Sequence, residues 1–497
     1  MPKEVPPTVE EVVALLPNAD PEQVRKVLGL KRKAWPYRYR PTVQPEVLAG
    51  RLLQALQPGE SEASAKTYRI AGRVRAKRGS GGIAFLVVEG ERGHIQVILQ
   101  KDRMGEAFDE ALHLVTEGDF VGVEGTGMRS KRGEPSLGAA KVTLLAKAVA
   151  PFPDLRSADN PELRYGKPYI GLMQGPEVRR IVLQRARITQ VLRQTLEKAG
   201  FIEAAIPVLE KVYGGANAKP FVTHSNAKDM PMYLRISHEL ALKKLLVGGL
   251  EKVYHIGPAF RNEDIDTTHN PEFTLMECYA AYWDYTDMMR LTAKAFQNAV
   301  RAVTGGPLVL KVGMHDIDFG SFRTVTMKDA IRQNGGPDPD TATDEEIQRL
   351  LDANQVVIRG GYSRGLAVAK LFEVFAEPAL IQPTFVIDHP RETTPLCKPH
   401  RKDPTLVERF ELFIAGREHA NSYSELNDPY LQAKLFAEQE SRRAGDEELP
   451  PTDKDFIDAL THAMPPAGGL GIGVDRMVMT ILNVDSIKQV LPFPQVK

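Results

Sequence analysis

Between residues 66 and 150 the chain carries five short β-patterned runs: Tyr68–Val74, Ile83–Val88, His94–Leu99, Phe120–Thr126 and Lys141–Leu145. Glycine-rich and charged turns separate them, and one helical stretch, Gly105–Leu114, interrupts. Five strands with a helix between the third and fourth, in under about ninety residues, predict a small closed barrel of the OB type. The first run is basic, with Lys66, Arg69, Arg73, Arg75, Lys77 and Arg78 and no acid among them. A solvated strand face explains such a cluster, and so does a local patch for an anionic partner.

That barrel is a small part of 497 residues, a length that predicts two to four domains at roughly 100–200 residues each. Lys+Arg and Asp+Glu both number 64, which argues against bulk attraction to nucleic acid or anionic lipid. Two cysteines, Cys278 and Cys397, leave no disulfide framework or four-cysteine zinc site and fit a reducing, cytoplasmic setting. No apolar run approaches the roughly 18–20 residues of a membrane span. The opening Met1-Pro-Lys-Glu-Val-Pro-Pro lacks the apolar stretch of a signal peptide.

Residues 1–60 are punctuated by proline and read as a helical and extended arm, with a short helix from Pro21 and an extended Arg38-Tyr-Arg-Pro. Residues 61–150 form the barrel domain and 151–165, opening Pro151-Phe-Pro-Asp-Leu, a linker. Residues 166–497 are a second domain. It starts with an amphipathic helix from Gly175 to Ala199, with Gly200 just past its end. A helical insertion is expected around 326–380, from Met327–Arg332, Thr343–Asn354 and Leu366–Phe375.

Three segments of this domain concentrate chemistry. Val253 to Glu263 reads as a strand, Asp264–Asn270 as a polar loop and Glu272 to Tyr279 as the returning strand. Alternation gives one surface Arg261, Glu263, Phe273, Glu277 and Tyr279. An arginine fork suits phosphate or carboxylate, and an aromatic face suits a flat base; an ordinary hairpin with a surface ion pair would look the same. Pro258 predicts an edge or a bulge in the first strand. Gly469-Leu-Gly-Ile-Gly-Val-Asp-Arg puts three glycines on one strand face and Arg476 at a helix start. Close approach by a ligand or a backbone, or tight helix-on-sheet packing, would use such a face. Arg409-Phe-Glu-Leu-Phe-Ile turns at Ala415-Gly-Arg into Glu418-His-Ala-Asn-Ser-Tyr-Ser-Glu. Glu411 and Glu418 approach across that turn, as a Mg²⁺ site or as solvated acids. Strict alternation sets Glu418 on the face opposite Asn421, Tyr423 and Glu425, so a common role needs a bulge. Glu239, at the start of a helix, could join Glu277 and Glu425 around an amine, or sit there for the helix dipole alone.

Phe260-Arg-Asn-Glu with His269-Asn-Pro-Glu-Phe resembles motif 2 of class II aminoacyl-tRNA synthetases, Gly469 to Arg476 their motif 3, and Gly200-Phe-Ile-Glu-Ala-Ala-Ile-Pro their motif 1. Within the class, Gly214-Gly-Ala-Asn-Ala-Lys-Pro-Phe, Tyr233-Leu-Arg-Ile and Ser424-Glu-Leu-Asn-Asp resemble the lysyl-tRNA synthetases of subclass IIb. The likeness runs in the family's order over about residues 66–497. It implies an α+β chain: an N-terminal OB-fold β-barrel that reads the anticodon, and a catalytic domain with a six-stranded antiparallel sheet flanked by helices. It implies tRNA(Lys), ATP and L-lysine as partners, Mg²⁺ as cofactor, and a homodimer with Pro207 at its interface. The alternatives within reach are an aspartyl or asparaginyl enzyme, a protein-lysylating paralogue and a non-catalytic relative.

Residue by residue, the resemblance implies that Arg261 bridges the amino-acid carboxylate and the α-phosphate of ATP, and that Arg476 lies over the adenine and near the γ-phosphate. Glu263, His269, Asn270, Phe273 and Glu411 would also hold ATP, with Phe273 stacking on adenine. Glu411 and Glu418 would bind Mg²⁺. Gly215 and Glu239 would take the α-amino group of lysine; Glu277, Tyr279 and Glu425 its ε-ammonium. Asn421 would meet the carboxylate and Tyr423 would wall the pocket. On the barrel, Phe85 would stack on an anticodon base while Arg73, Gln96 and Glu134 read base edges. The chain departs from the family at Glu203-Ala-Ala-Ile-Pro, at Thr394-Pro-Leu-Cys-Lys, at Arg164-Tyr-Gly-Lys-Pro-Tyr-Ile-Gly-Leu, at Cys278, at Ala420-Asn-Ser-Tyr and in the loop Asp264-Ile-Asp-Thr-Thr-His. None removes a charge that the chemistry needs.

Overall fold

The computed structural model describes residues 7–16, 18–30, 35–63, 65–153, 165–358, 361–443 and 448–495. Six residues of the opening segment, residues 154–164 of the expected linker, and with them Arg164, lie outside the described residues. The chain divides into two compact units, Met1–Arg180 and Ile181–Lys497.

In the first unit β1 (Thr67–Ser80), β2 (Ile83–Glu89), β3 (His94–Gln100), β4 (Phe120–Arg129) and β5 (Pro135–Ala146) close a barrel in the order β1-β2-β3-β5-β4. The helices Lys101–Met104 and Glu106–Leu114 lie between β3 and β4, as the pattern predicts, with Gly105 dividing what reads as one stretch. Strand β5 starts six residues before its expected start. Its first half, Pro135 to Ala139, is poor in β-formers and is held by pairing with both β4 and β3. Residues 1–60, read as an arm, include the helix Pro45–Ala55, whose Leu48 and Leu52 join the barrel core with Ile70, Val97 and Val123. A buried ion pair, Lys147 to Asp119 at 2.8 Å, ties the end of β5 to the start of β4.

The second unit is built on an eight-stranded sheet. Its strands are β6 (Ile202–Glu203), β10 (Lys252–Phe260), β11 (Glu272–Ala281), β14 (Arg323–Thr326), β15 (Thr384–Pro390), β16 (Leu406–Ile414), β17 (Arg417–Ser424) and β18 (Ala467–Gly473). Strands β7 (Leu209–Glu210), β8 (Val222–Ser225) and β9 (Met230–Leu234) form a separate small sheet, and β12 (Val309–Val312) with β13 (His315–Asp318) a hairpin. The order is β14-β15-β16-β17-β18-β11-β10-β6. From β15 to β10 every neighbour is antiparallel, which is the six-stranded sheet the resemblance implies; β14 and β6 add a parallel strand at each edge.

Residue parity divides that sheet into two chemistries. Met276, Cys278, Leu470, Ile472, Phe410 and Leu412 point into an apolar core completed by Leu192, Phe296 and Val478 from the helices Pro176–Lys198, Tyr285–Thr304 and Val474–Leu482. Their odd-numbered neighbours Glu277, Gly471, Arg409, Glu411 and Asn421 line a cavity on the opposite face. The helix predicted from Gly175 to Ala199 runs Pro176–Lys198, and Phe201 N–H caps the Leu196 carbonyl at 3.1 Å just past Gly200. The helices expected around 326–380 are Met327–Gln333, Asp344–Ala353 and Arg364–Phe375, packed around Ile331, Leu351 and Leu371 together with Val386 and Phe413 of the sheet. Pro258 is paired with Thr274 in regular register, without a bulge. The expected edge is real: β6 covers β10 only at Val253 and Tyr254, so the N–H that proline lacks has no strand to serve.

Candidate active site

Every catalytic-domain residue singled out from the sequence, from Gly215 to Arg476, lines one cavity of about 440 Å³. Parity along β11, β17 and β18 supplies the floor, and the loops after β9 and β10 supply the walls.

Strand β10 stops at Phe260, so Arg261 and Glu263 belong to the loop and not to the strand face on which alternation placed them. Arg261 is held by its own N–H, which donates to Pro271 O at 2.8 Å, and its guanidinium carbon lies 5.1 Å from the Phe273 ring centre. Among the described residues its side chain makes one hydrogen bond, Nε to Ile236 O at 3.4 Å. Burial pulls Arg261 below the ordinary arginine value although Glu263 and Glu418 work the other way, so the site favours an anion beside it. Glu263 is exposed and accepts Lys219 N–H at 3.3 Å. His269 is oriented by Asp266, 2.8 Å from Nδ1, and its Nε2 faces Arg476 Nη2 at 3.5 Å. Asn270 lines the cavity but is committed to backbone: Nδ2 donates to Glu272 O at 2.6 Å and Oδ1 accepts Gln495 N–H at 3.4 Å.

Arg476 sits in the first turn of the helix Val474–Leu482 and donates to Glu418 O at 2.5 Å. Its neighbour Asp475 fixes that turn by accepting Thr274 N–H at 2.6 Å and Arg185 Nη2 at 2.5 Å. The motif glycines do two different jobs. A Cβ on Gly469 would collide with the Glu425 carboxylate and the Tyr279 ring, whereas one on Gly471 would meet nothing nearer than 3.7 Å. Close approach is therefore made by pocket side chains at Gly469, while Gly471 leaves floor space.

The bulge required of the acidic hairpin exists. Leu412 pairs with Ala420 but Phe413 pairs with Glu418, so His419 is the extra residue. Glu418 thereby joins Glu411 and Asn421 on one face. Glu411 is salt-bridged to Arg409, whose Nε also donates to Asn421 Oδ1 at 3.1 Å. Glu418 is 3.9 Å from Arg476 Nη1, and burial together with Glu411 raises its carboxyl above the ordinary value. Two carboxylates brought to one face of the cavity, one raised by burial and by the other acid, fit Mg²⁺, which takes one or two carboxylates and completes its shell with phosphate and water. Among the described residues no group of three or more His, Cys, Asp or Glu is arranged to hold a metal by itself.

Three carboxylates close the inner end. Glu277 accepts Ser237 Oγ at 2.8 Å, His238 N–H at 3.1 Å and Tyr279 Oη at 3.0 Å, and burial with Glu239 nearby pushes it up to about 7. Glu425 is pushed up to about 8, chiefly by burial. Glu239 opens the helix Glu239–Val247, with its N–H donated to Ser237 Oγ at 3.2 Å. Gly215 passes beside Ser237 with φ +86°, where a side chain would be both strained and 2.8 Å from Ser237 Oγ. Tyr423 walls the pocket, its Oη accepting Asn421 Nδ2 at 3.2 Å.

Two cations escaped the sequence reading. Lys243, one helical turn after Glu239, lies under the acids with its side chain fully buried. Arg409, two residues before Glu411 on the same strand face, lies 5.6 Å from the Tyr423 ring centre. The i,i+4 spacing from Glu239 and the strand alternation to Glu411 are the signals that point to them.

On the barrel, Phe85 pairs with Ile98 and Gln96 with Val87, so Phe85 and Gln96 are diagonal neighbours on one outward face. Gln96 Nε2 donates to Ser136 Oγ at 3.0 Å, and Ser136 Oγ in turn to Glu134 O at 3.0 Å, which brings the Glu134 segment alongside. Arg73 is placed elsewhere: it pairs with Glu89 and Phe120, stacks 4.3 Å from the Phe120 ring centre and donates to Gly118 O at 2.8 Å. The β1–β2 register puts Arg78 directly opposite Phe85.

A family model described as tRNA synthetases class II (D, K and N) matches residues 160–497, and one described as an OB-fold nucleic acid binding domain matches residues 68–145. A lysine–tRNA ligase of Saccharolobus solfataricus is 43% identical over 490 residues, 97% of this chain and 98% of its own. One of Sulfolobus acidocaldarius is 45% identical over 439 residues, 87% of this chain and 88% of its own. One of Shouchella clausii is 44% identical over 432 residues, 86% of each.

Proposed function

Since this chain belongs to the tRNA synthetases class II (D, K and N), we propose that it is a lysine–tRNA ligase, activating L-lysine with ATP and passing it to tRNA(Lys). The observation that carries lysine over aspartate or asparagine is the inner end of the cavity, where Glu239, Glu277 and Glu425 are all buried. A buried carboxylate needs a partner, and a diammonium substrate supplies it; an acidic side chain would be repelled.

In this reading the α-amino group lies between Gly215 and Glu239, and the ε-ammonium among Glu277, Tyr279 and Glu425. Asn421 helps to hold the carboxylate and Tyr423 walls the pocket. Arg261 holds the lysine carboxylate against the α-phosphate. The carboxylate oxygen attacks the α-phosphorus in line, the bond to the bridging oxygen breaks, and pyrophosphate leaves. No covalent nucleophile is needed, because positioning and charge stabilisation by Arg261 and Arg476 lower the barrier. Phe273 and Arg476 sandwich the adenine, with Glu263, His269, Asn270 and Glu411 around the nucleotide. Glu411 and Glu418 would hold Mg²⁺, which when bound neutralises phosphate charge. The terminal ribose hydroxyl of tRNA then attacks the lysyl carbonyl and AMP leaves.

The barrel would read the anticodon through Phe85, Gln96 and Glu134. Arg73 would contribute from beside Phe120, and the register adds Arg78. The apolar Ile202, Val208 and Leu209, exposed around the motif 1 segment, support a homodimer. Two buried, free cysteines suit a cytoplasmic protein, and among the described residues no helix is long and apolar enough to cross a membrane.

ATP–pyrophosphate exchange tests the reading: lysine supports exchange, aspartate and asparagine do not, and equal exchange with all three or with none overturns it. Glu425→Gln should raise the lysine KM roughly 10- to 100-fold, as expected for a buried charge-assisted contact, and leave the ATP KM within about threefold. An unchanged lysine KM removes Glu425 from the pocket's work. Phe85→Ala should cut tRNA charging by about tenfold, in line with ~1–3 kcal/mol per stacked base, with lysine-dependent exchange unaltered. Equal loss of both activities would mean that the barrel does not read the anticodon.

A further inference from the structure

Lys243 is absent from the work described above, yet it is the most deeply placed cation near the amino-acid pocket. Its side chain is 0% exposed. Nζ lies 2.5 Å from Glu239 Oε1 and forms a second, close ion pair with Glu425 Oε2. These are the two acids assigned to opposite ends of the substrate, one to the α-amino group and one to the ε-ammonium.

The other groups around Lys243 do not compete for it. Tyr279 from β11 and Phe456 from the helix Lys454–Thr461 present ring centres 5.9 Å from Nζ. Glu277 on β11 is satisfied by Ser237, His238 and Tyr279. Cys397 is bridged to Glu425 by backbone and donates its thiol to Glu408 O at 3.1 Å. Tyr423 packs on Arg409. Asp453 and Asp455 at the start of the helix Lys454–Thr461 pair with Lys244, the next residue, which points outward. Among the described residues, then, the inner end of the pocket is lined by three carboxylates with one ammonium beneath them; Arg235 and Glu210, which also act on Glu277, stand behind the lining and carry opposite charges.

Resting on the lysine–tRNA ligase reading, we propose that Lys243 is a positioning residue for the substrate: its buried ammonium fixes the Glu239 and Glu425 carboxylates and leaves the pocket two uncompensated negative charges, the number of ammonium groups that lysine brings. The substrate carboxylate, with its own negative charge, is met outside this count by Arg261. Without Lys243 three acids would confront two ammonium groups, and one acid would have to take up a proton to remain buried. The positive charge of Lys243 is also what opposes the burial of Glu425, whose carboxyl stands at about 8 with Lys243 present and would stand higher without it. Lysine binds the ionised acids, so its kcat/KM falls as pH drops through the carboxyl values of the free enzyme, and removing Lys243 moves that acid limb upward.

The test is the pH profile of lysine-dependent exchange in the full chain, from pH 6 to 9.5, for wild type, Lys243→Met and Lys243→Met/Glu239→Gln. For Lys243→Met the proposal expects kcat/KM for lysine to drop about 10- to 100-fold at pH 7, the ATP KM to stay within about threefold, and the acid limb to rise by about one pH unit, so that much of the loss is recovered at pH 9. The double variant carries two acids again. Its limb returns to within about half a unit of wild type, even though its kcat/KM is low for want of Glu239. A loss equal at pH 7 and pH 9, or no loss, overturns the proposal, since a merely structural lysine would not move the limb. Should Lys243→Met fail to fold, the double variant decides alone: a limb at the wild-type position supports the proposal and a raised one overturns it. Wild-type protein without lysine-dependent exchange overturns the functional reading and this inference together, whereas a limb unmoved in an active Lys243→Met overturns only the inference.

Discussion

Arg261→Met should lower kcat/KM for lysine-dependent pyrophosphate exchange by on the order of 10³-fold, the scale of removing one well-placed donor to a developing anion in a dry site. Two features of the structure set that expectation. The guanidinium lines the cavity within electrostatic reach of Glu277, Glu263, Glu418 and Arg476, and among the described residues its fork has only Ile236 O as a hydrogen-bond partner. It also lies under a burial penalty that nearby acids do not cancel, so it gains most when two anionic groups arrive together. Arg261→Lys should recover little, because a point charge cannot bridge a carboxylate and a phosphate as a planar fork does. The loss should not come from unfolding: one long hydrogen bond and a stack on Phe273 amount to about 1 kcal/mol. Arg261→Met within tenfold of wild type, with the melting transition unmoved, would mean that another group carries the phosphate, and Arg476 would be the next to replace.

Much of this site could be read from the chain because a β-strand's alternation is local. Parity along 273–279, 421–425 and 469–473 separates a charged face from an apolar one, and neighbouring strands kept the same parity where they paired. The bulge at His419 was demanded by the acids themselves, since Glu418 could reach Asn421's face in no other way. What was illegible depended on pairing between distant segments. The first half of β5 has no strand pattern of its own and exists because β3 and β4 flank it. The helix Pro45–Ala55 reads as part of a proline-punctuated arm until Leu48 and Leu52 are seen in the barrel core. Arg73 and Arg78 are equivalent in a basic run, and only the β1–β2 register sets Arg78 opposite Phe85. Lys243 was hidden for another reason: the first lysine of a Lys-Lys pair on a helix suggests solvent, and its burial among ion-pair partners needs Glu425, which the end of β17 brings over it beside Glu239 one turn back on its own helix.

Arg235 extends that argument to stability, and Arg235→Met should destabilise the second unit by about 3–5 kcal/mol, the scale of losing several hydrogen bonds from one charged donor at ~1.5–3 kcal/mol each. The residue was visible in the sequence only as part of Tyr233-Leu-Arg-Ile. In the fold it is 1% exposed and acts as a strut between the motif 1 segment and the motif 2 strand. Nε donates to Pro258 O at 2.8 Å, and Nη1 to Pro207 O at 3.1 Å and Ile206 O at 3.3 Å. Nη2 donates to His255 Nε2 at 3.1 Å, which fixes that imidazole with its proton on Nδ1, toward Ala204 O at 2.9 Å. The backbone of Arg235 completes the strut, its N–H on Val208 O and its carbonyl on Phe260 N–H. Methionine would fill the volume and leave the Ile206 and Pro207 carbonyls and the His255 Nε2, all partly buried, without this donor, and would leave Pro258 O to His238 Nε2 at 3.4 Å. Thermal unfolding followed through Trp283, which sits in the second unit against Phe201 and Lys252, should fall by about 5 °C or more. Arg235→Lys should recover less than half of that, since one ammonium cannot span acceptors on two segments. Well below the transition the lysine and ATP KM values should move together and by less than about tenfold, because the strut supports the residue before Arg261 and does not touch the cavity. A Trp283 transition within about 1 °C of wild type would show that the carbonyls find water instead, and that the two segments are held together by packing alone.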